Sequence, residues 1–400
     1  MSAQTAIKLP ANHTAPIPIA TTAPKLTFEE RRILKLLGKH TYDEVHQRTG
    51  WSRGKIYNLA IRASARKTEN RIRERHQERK RRQIEFLTEV MNTTAKCDVL
   101  DFLDGIPNDS VYTHITSMPY NLGKPYGDCQ SADRMRFTYF HGWLMQIISE
   151  LSRTLKPNGV LFLNIGSTPD WEDKLMPLDV LLFEDLRRSG LTFQSRVIWT
   201  TPHGLTPKRK LAERHETVLV FSKGDSPTFN PSAARMPQKQ PGKRAFKGPN
   251  KGQLSCHPLG AHPTNVWHIP NVGHNHPERK AGGPHLHPAQ FPLTLAKRAI
   301  LLYSLPGELI CDVFSGSGTT HVGAIETGRA FIGADLFYED LRANRLVHTS
   351  PDTLSILPGV TDQSIAVWQA EARKIETPAT PITQATEKQQ IQELFLWDKP

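Results

Sequence analysis

The sequence predicts an α/β fold, a mostly parallel sheet with helices on its faces, preceded by a small all-α module. Three observations predict it. Between Asp98 and Leu346, short apolar runs bounded by Gly, Asp or Ser alternate with longer stretches of helical period. Two of those runs lead into turns, at Ser117–Pro119 and at Ser315–Gly318, where an α/β sheet places its binding crevice. Residues 26–92 hold apolar positions at helical spacing and no strand-like run.

The elements follow in chain order. Residues 1–24, rich in Ala, Thr and Pro, read as a disordered tail without the basic start and apolar block of a secretory signal. Residues 25–63 read as a helix-turn-helix. Thr27 with Glu30 opens a first helix as a capping box, and Ile33, Leu34 and Leu37 give its apolar stripe. Thr41–Arg48 forms a second helix, Thr49-Gly50-Trp51 a turn, and Ser52 caps a third helix that presents Arg53, Lys55, Tyr57 and Asn58. Residues 64–92 read as a basic helical linker. Arg62 to Arg82 carries ten Lys or Arg against three Glu with no Gly or Pro, so it is either a phosphate contact, with Arg71 and Arg75 as candidates, or a solvated connector.

Residues 93–223 form the first half of the α/β region. Strands are expected at Val111–Thr116 and Gly159–Ile165 around a helix at Phe140–Leu155, and Phe193–Trp199 and Glu216–Phe221 look like an antiparallel pair. Residues 224–284 break the rhythm with Pro, Gly, His and Lys and read as a loop-rich insert. Residues 285–350 resume it, with a helix at Leu293–Tyr303 and strands at Glu308–Phe314 and Phe331–Asp335. Residues 351–400 read as a tail around one helix, Gln363–Lys374, with no function assigned.

Charge narrows the partner. Lys and Arg number 51 against 39 Asp and Glu, a net charge of +12. A polyanion fits that balance, nucleic acid ahead of an anionic membrane surface. No run approaches the roughly 18 consecutive apolar residues of a transmembrane helix. The four cysteines, Cys97, Cys129, Cys256 and Cys311, are widely spaced, which argues against a disulfide framework and fits a reducing cytoplasm. The histidines at 257, 262, 268, 274, 276, 285 and 287 admit a zinc site near Cys256, but no pair has firm metal-ligand spacing. A polar loop against DNA is the reading kept, with Lys243 and Arg244 among its phosphate contacts, and no metal is assigned.

Two segments carry the chemistry. The strand at Glu308–Phe314 runs into Ser315-Gly316-Ser317-Gly318, and a helix starts at Thr319. Gly316 and Gly318 let the backbone pass close to a ligand, and the next strand ends in Asp335, an acid able to accept ribose hydroxyls. A dinucleotide-binding turn would have a third glycine, absent here. The second segment is Ser117-Met118-Pro119-Tyr120, directly after a strand.

Ser117-Met118-Pro119-Tyr120 resembles the (Asp/Asn/Ser)-Pro-Pro-(Tyr/Phe/Trp) motif of amino-methyltransferases. With the Gly316/Gly318 turn downstream, and with Lys156-Pro157-Asn158-Gly159, His215–Lys223 and His287–Pro292 in place, the chain resembles an S-adenosylmethionine-dependent DNA amino-methyltransferase of the beta arrangement. There the catalytic motif precedes the cofactor motif and the target-recognition region lies between them. The resemblance covers residues 97–346. It implies a Rossmann-like methyltransferase fold with permuted motif order. It also implies S-adenosylmethionine held by Asp98, Asp312, Phe314, Gly316, Gly318, Thr319 and Asp335, with Asp98, at the end of an upstream strand, toward the adenine amine. Two departures stand out: Val313 follows Asp312 where proline is usual, and Met118 replaces the first proline and loses its rigidity.

The resemblance implies a mechanism. Ser117 Oγ and the Met118 carbonyl accept the two N–H groups of a base amine, Pro119 fixes the turn, and Tyr120 stacks on a base taken out of the duplex. Serine at 117 resembles the cytosine-N4 branch, with adenine N6 second. None of the four cysteines follows a proline, against the carbon-5 class. The reading from another class is a catalytically inactive DNA-binding regulator, with Met118 the feature on its side. Double-stranded DNA is the implied partner, and a homodimer and a restriction endonuclease partner both stay open.

Overall fold

The computed structural model describes residues 26–349 except 128, 130–132, 203, 205, 210, 241, 256, 258–259, 274–275 and 281–286. The expected tails 1–24 and 351–400, the helix Gln363–Lys374, and Cys256, His274 and His285 lie outside the described residues. The chain divides into two compact units, Met1–Glu78 and Arg79–Pro400.

In the first unit, α1 (Phe28–Leu37) starts from Thr27, whose Oγ1 accepts the Glu30 N–H at 3.1 Å while Glu30 Oε2 accepts the Thr27 N–H at 2.8 Å. Thr41 and Glu44 repeat the device for α2 (Tyr42–Thr49), satisfying donors that a helix start leaves orphaned. Gly50, at φ +72°, stops α2 in the left-handed conformation that glycine adopts without strain. Ile33, Val45, Ile56 and Leu59 form the core of this unit.

The third helix, α3 (Arg53–Val90), is longer than the sequence reading allowed. It absorbs the expected linker without a break at 63, because no Gly or Pro interrupts it beyond its first turn. The boundary between units falls inside it, after Glu78, not at 63 or 92. Its last turns belong to the second unit, where Leu87 and Val90 are buried in the main core and Gln83 Nε2 donates to the Asp104 carbonyl at 2.8 Å.

The second unit continues with α4 (Val99–Gly105), β1 (Val111–Ser117), α5 (Phe137–Thr154) and β2 (Leu155–Ile165). The hairpin β3 (Ser167–Pro169) and β4 (Leu175–Pro177) precedes α6 (Leu178–Arg188), β5 (Thr192–Thr200) and β6 (His215–Ser222). Beyond it come β7 (Val266–His268), α7 (Pro277–Lys280), α8 (Leu293–Tyr303), β8 (Leu309–Asp312), α9 (Thr319–Glu326), β9 (Ala330–Gly333) and α10 (Glu339–Val347). Seven strands form one sheet in the order β7-β5-β6-β2-β1-β8-β9, mostly parallel. β6 alone runs against its neighbours, β5 and β2.

Alternation along β2 shows how the sheet is sandwiched. Leu161, Leu163 and Ile165 enter one core with α4, α5 and α6, whereas Val160 and Phe162 enter the other with α8 and α9. Two expectations need correction. The 224–284 insert is not all loop, since β7 extends the sheet beside β5, with Trp267 buried; Val-Trp-His is too short to show a period. No strand leads to Asp98, which instead caps α4 by accepting the Leu100 N–H at 2.8 Å.

Candidate active site

Strand direction decides what meets. In the parallel strands β1, β2, β8 and β9 the carboxyl ends lie along one edge of the sheet, and the reversed β6 brings its amino end to the same edge. A cavity of about 410 Å³ opens there. Ser117, Met118, Pro119 and Tyr120 line it from β1, and Phe314, Gly316 and Thr319 from the turn after β8. Asp335, past β9, and Asp98, at the α4 cap, complete that part of the wall.

Not every expected cofactor residue reaches the cavity. Asp312 and Gly318 stand behind its wall. Asp312 is buried and accepts the Phe314 N–H at 3.1 Å and the Thr320 hydroxyl at 2.6 Å, so it shapes the turn. Burial pushes its carboxyl up to about 6. Gly318 starts α9 at φ +76°. Two buried arginines brace the turn from behind: Arg342 Nη1 donates to the Gly316 carbonyl at 3.1 Å, and Arg345 Nη1 to the Ser317 carbonyl at 2.7 Å.

Asp335 accepts the Gly316 N–H at 2.8 Å on Oδ2 and the Phe337 N–H at 2.8 Å on Oδ1. Burial raises its pKa despite those two bonds. Each oxygen keeps lone-pair capacity for a further donor. Gly316 is at φ +48°, and a Cβ there would lie 2.8 Å from His287 Nε2, so only glycine fits between that ring and the turn.

The Ser117–Tyr120 segment is tied to two residues whose roles the sequence did not reveal, Asn164 and Glu216. Tyr120 donates its hydroxyl hydrogen to Glu216 Oε2 at 2.9 Å. Asn164 Nδ2 donates to Glu216 Oε2 at 2.7 Å and to the Tyr120 oxygen at 3.1 Å. Ser117 Oγ lies 3.2 Å from the Tyr120 oxygen. Burial, and next the Glu216 charge, push the Tyr120 hydroxyl well above its ordinary value, so it stays protonated. The Tyr120 ring lies against Gly166, where a Cβ would come within 2.9 Å of it. Met118 is buried, its side chain packed into the main core. An Asn near the end of the apolar run Val160–Ile165 and an acid near the start of another strand are the signals that could have found Asn164 and Glu216. His287, Trp143 and Tyr126 also line the cavity.

The residues expected to touch DNA do not line the cavity. Arg53 pairs with Asp43, Lys55 Nζ sits 3.8 Å over the Trp51 ring, and Asn58, Arg71 and Arg75 are exposed. Lys243 and Arg244 lie on a hairpin of the insert, where Arg244 Nη1 donates to the Gly252 carbonyl at 2.7 Å. Among the described residues no cluster of His, Cys, Asp or Glu could hold a metal ion.

A family profile described as DNA methylase, of the N6/N4 kind, matches residues 111–343, more than half the chain. This protein belongs to the N6/N4 DNA methylase family. The methylase is 34% identical over 277 residues to Type II methyltransferase M.BglII of Bacillus subtilis, covering 69% of this chain and 74% of that relative. It is 32% identical over 248 residues to DNA adenine methyltransferase YhdJ of Escherichia coli (strain K12), covering 61% and 78%. Among solved structures it is similar to PvuII DNA methyltransferase (cytosine-N4-specific), with 20% identity, a TM-score of 0.49, and coverage of 70% of this chain and 92% of that one.

The methylase is therefore an amino-methyltransferase, and its cofactor is S-adenosylmethionine. The cavity fits that group on its own geometry. The bare Gly316 backbone, the remaining acceptor capacity of Asp335, and an aromatic wall of Phe314 and Trp143, 5.7 Å apart in a T-shaped pair, suit a charged nucleoside.

Proposed function

We propose that the chain methylates the exocyclic amine of one base in double-stranded DNA, cytosine N4 ahead of adenine N6, at a specific sequence. One observation carries the reading: the Ser117–Tyr120 segment and the Phe314–Asp335 segment, far apart in the chain, line one cavity. When bound, S-adenosylmethionine supplies an electrophilic methyl group on a sulfonium.

The chain's residues do the remainder. An exocyclic amine is a poor nucleophile because its lone pair is delocalised into the ring. Ser117 Oγ and the Met118 carbonyl accept its two hydrogens and favour a pyramidal nitrogen with the lone pair free. Tyr120, backed by Gly166, offers its ring to the base. The cavity admits a base only outside the stack, so flipping precedes reaction. Catalysis is then chiefly positioning, with no covalent enzyme intermediate. Asp335 takes the ribose hydroxyls and Phe314 packs on the cofactor, with Asp98 toward the adenine.

DNA contact is assigned to two regions. The insert hairpin carries Lys243, Arg244 and Lys247 beside Phe246, whose side chain is exposed. Cations suit phosphates and an exposed ring suits bases. In the first unit, Arg53, Lys55 and Asn58 of a helix-turn-helix and Arg71 and Arg75 beyond it add phosphate contacts. The similarity to Type II methyltransferases supports a role beside a restriction endonuclease. Adenine is the second reading because YhdJ, a relative at 32% identity, is named an adenine methyltransferase.

The test is nucleoside mass spectrometry of DNA incubated with the protein and S-adenosylmethionine. N4-methylcytosine is expected; N6-methyladenine would establish the second reading, and neither would leave the inactive regulator.

A further inference from the structure

We infer that Glu216 is a positioning residue that sets the proton direction in the Ser117–Tyr120–Glu216 chain, so that Ser117 presents lone pairs, and not its hydrogen, to the target amine. The inference rests on the reading that Ser117 accepts an N–H of that amine.

The geometry leaves one assignment of hydrogens. An ionised carboxylate only accepts. Glu216 Oε2 lies 2.9 Å from the Tyr120 hydroxyl and 2.7 Å from Asn164 Nδ2, so both must donate to it. The single Tyr120 hydrogen is then committed to Glu216, and the Tyr120 oxygen can only accept. It accepts from Asn164 Nδ2 at 3.1 Å, and from Ser117 Oγ at 3.2 Å the only hydrogen that remains is serine's own. With that hydrogen turned to Tyr120, Ser117 Oγ can only accept. Asn164 Nδ2 reaches it at a long 3.4 Å while holding shorter bonds to Glu216 and Tyr120, so at least one Ser117 lone pair is left for the cavity that Ser117 lines.

Asn164 supports the same direction. It is 4% exposed, and its Oδ1 has no hydrogen-bond partner, an arrangement a protein normally avoids. Turning the amide over would place Oδ1 at 2.7 Å from the Glu216 carboxylate, two acceptors in contact. The carboxylate thus fixes the amide as well as the phenol. Its position follows from the topology: β6 runs opposite to β2, so the first residues of β6 lie beside the last of β2, with Thr217 opposite Ile165.

Without the carboxylate, the Tyr120 hydroxyl is free to turn onto Ser117 and occupy a lone pair the substrate needs. Glu216→Ala is therefore expected to lower kcat about tenfold or more, the size of one misdirected hydrogen bond, with KM for DNA and S-adenosylmethionine affinity unchanged. Glu216→Gln, whose carbonyl can accept from both donors, restores most of kcat. The discriminating variant is the double one, Glu216→Ala with Tyr120→Phe. It keeps the ring, removes the hydroxyl that blocks Ser117, and is expected to be faster than Glu216→Ala alone.

A merely structural role for Glu216 predicts a double variant no better than the single one, and that result overturns the inference. So does Glu216→Gln as slow as Glu216→Ala, which would mean that the charge itself is needed. Ser117→Ala is measured in parallel. If it is inactive while Glu216→Ala runs at the native rate, the proton-direction role falls and the Ser117 reading stands. If Ser117→Ala is fully active, both fall.

Discussion

At the scale of single residues the two chemical segments were legible, and what surrounds them was not. Ser117, Tyr120, Gly316 and Asp335 announce themselves because turns after strands are where an α/β sheet places chemistry. The family resemblance implies Asp312 and Gly318 as ligands too, and in the structure they shape the turn without lining the cavity. A sequence motif does not separate contact from support. Asp335→Ala is expected to weaken S-adenosylmethionine binding by about 1–3 kcal/mol, because a half-buried acceptor that also holds two backbone donors is lost. Calorimetry on the variant checks this, and native affinity would remove Asp335 from the cofactor site. Gly166→Ala is expected to displace the Tyr120 ring, which a new Cβ would meet at 2.9 Å. It should lower methyl transfer while leaving the Asp335 side of the cavity intact, which the same titration would report.

At the scale of elements, periodicity placed every strand of the seven-stranded sheet except β7, whose three residues carry no period, and it missed the helices α6 and α10. It could not show that β6 is the strand that turns back, although the turn back is what puts Glu216 beside Asn164. Nor could it show that α3 is continuous. That continuity changes how the basic first unit must be tested. Removing residues 1–90 would take away Leu87 and Val90, which are buried in the main core, so the cut belongs after Glu78. Deleting 1–78 removes Arg53, Lys55, Arg71 and Arg75. It should lower the slope of log K against log salt by several units, since each phosphate contact contributes about 0.9. The methylated sequence should stay the same, because base choice is assigned to the insert. An unchanged slope would take the first unit out of DNA contact, and a changed site would mean that it reads bases.

At the scale of the whole molecule, the second unit stores pH sensitivity in buried side chains. Desolvation holds His114 and His321 down to about 3, against an ordinary value near 6.5. They fold neutral, so their stability is present above about 6.5 and is lost as the pH falls and the unfolded chain takes up protons. Each costs about 1.4 kcal/mol per pH unit in that window. Asp312, pushed up to about 6, acts in the opposite sense, its contribution present below its unfolded value near 4 and lost as the pH rises through about 6. Asp335 and Glu308, whose carboxyls burial also raises, act in the same sense as Asp312. The histidines titrate over the wider window, and the melting temperature is expected to be lower at about pH 5 than at about pH 7; a higher one would mean that these histidines are not buried in the folded protein. The central claim is that the two cavity-lining segments make one methyl-transferring site. It is tested most directly by following tritiated methyl from S-adenosylmethionine into DNA with native protein and Ser117→Ala, alongside a cofactor titration of both. The account predicts equal cofactor binding and transfer by the native protein alone; transfer by Ser117→Ala at the native rate would contradict it.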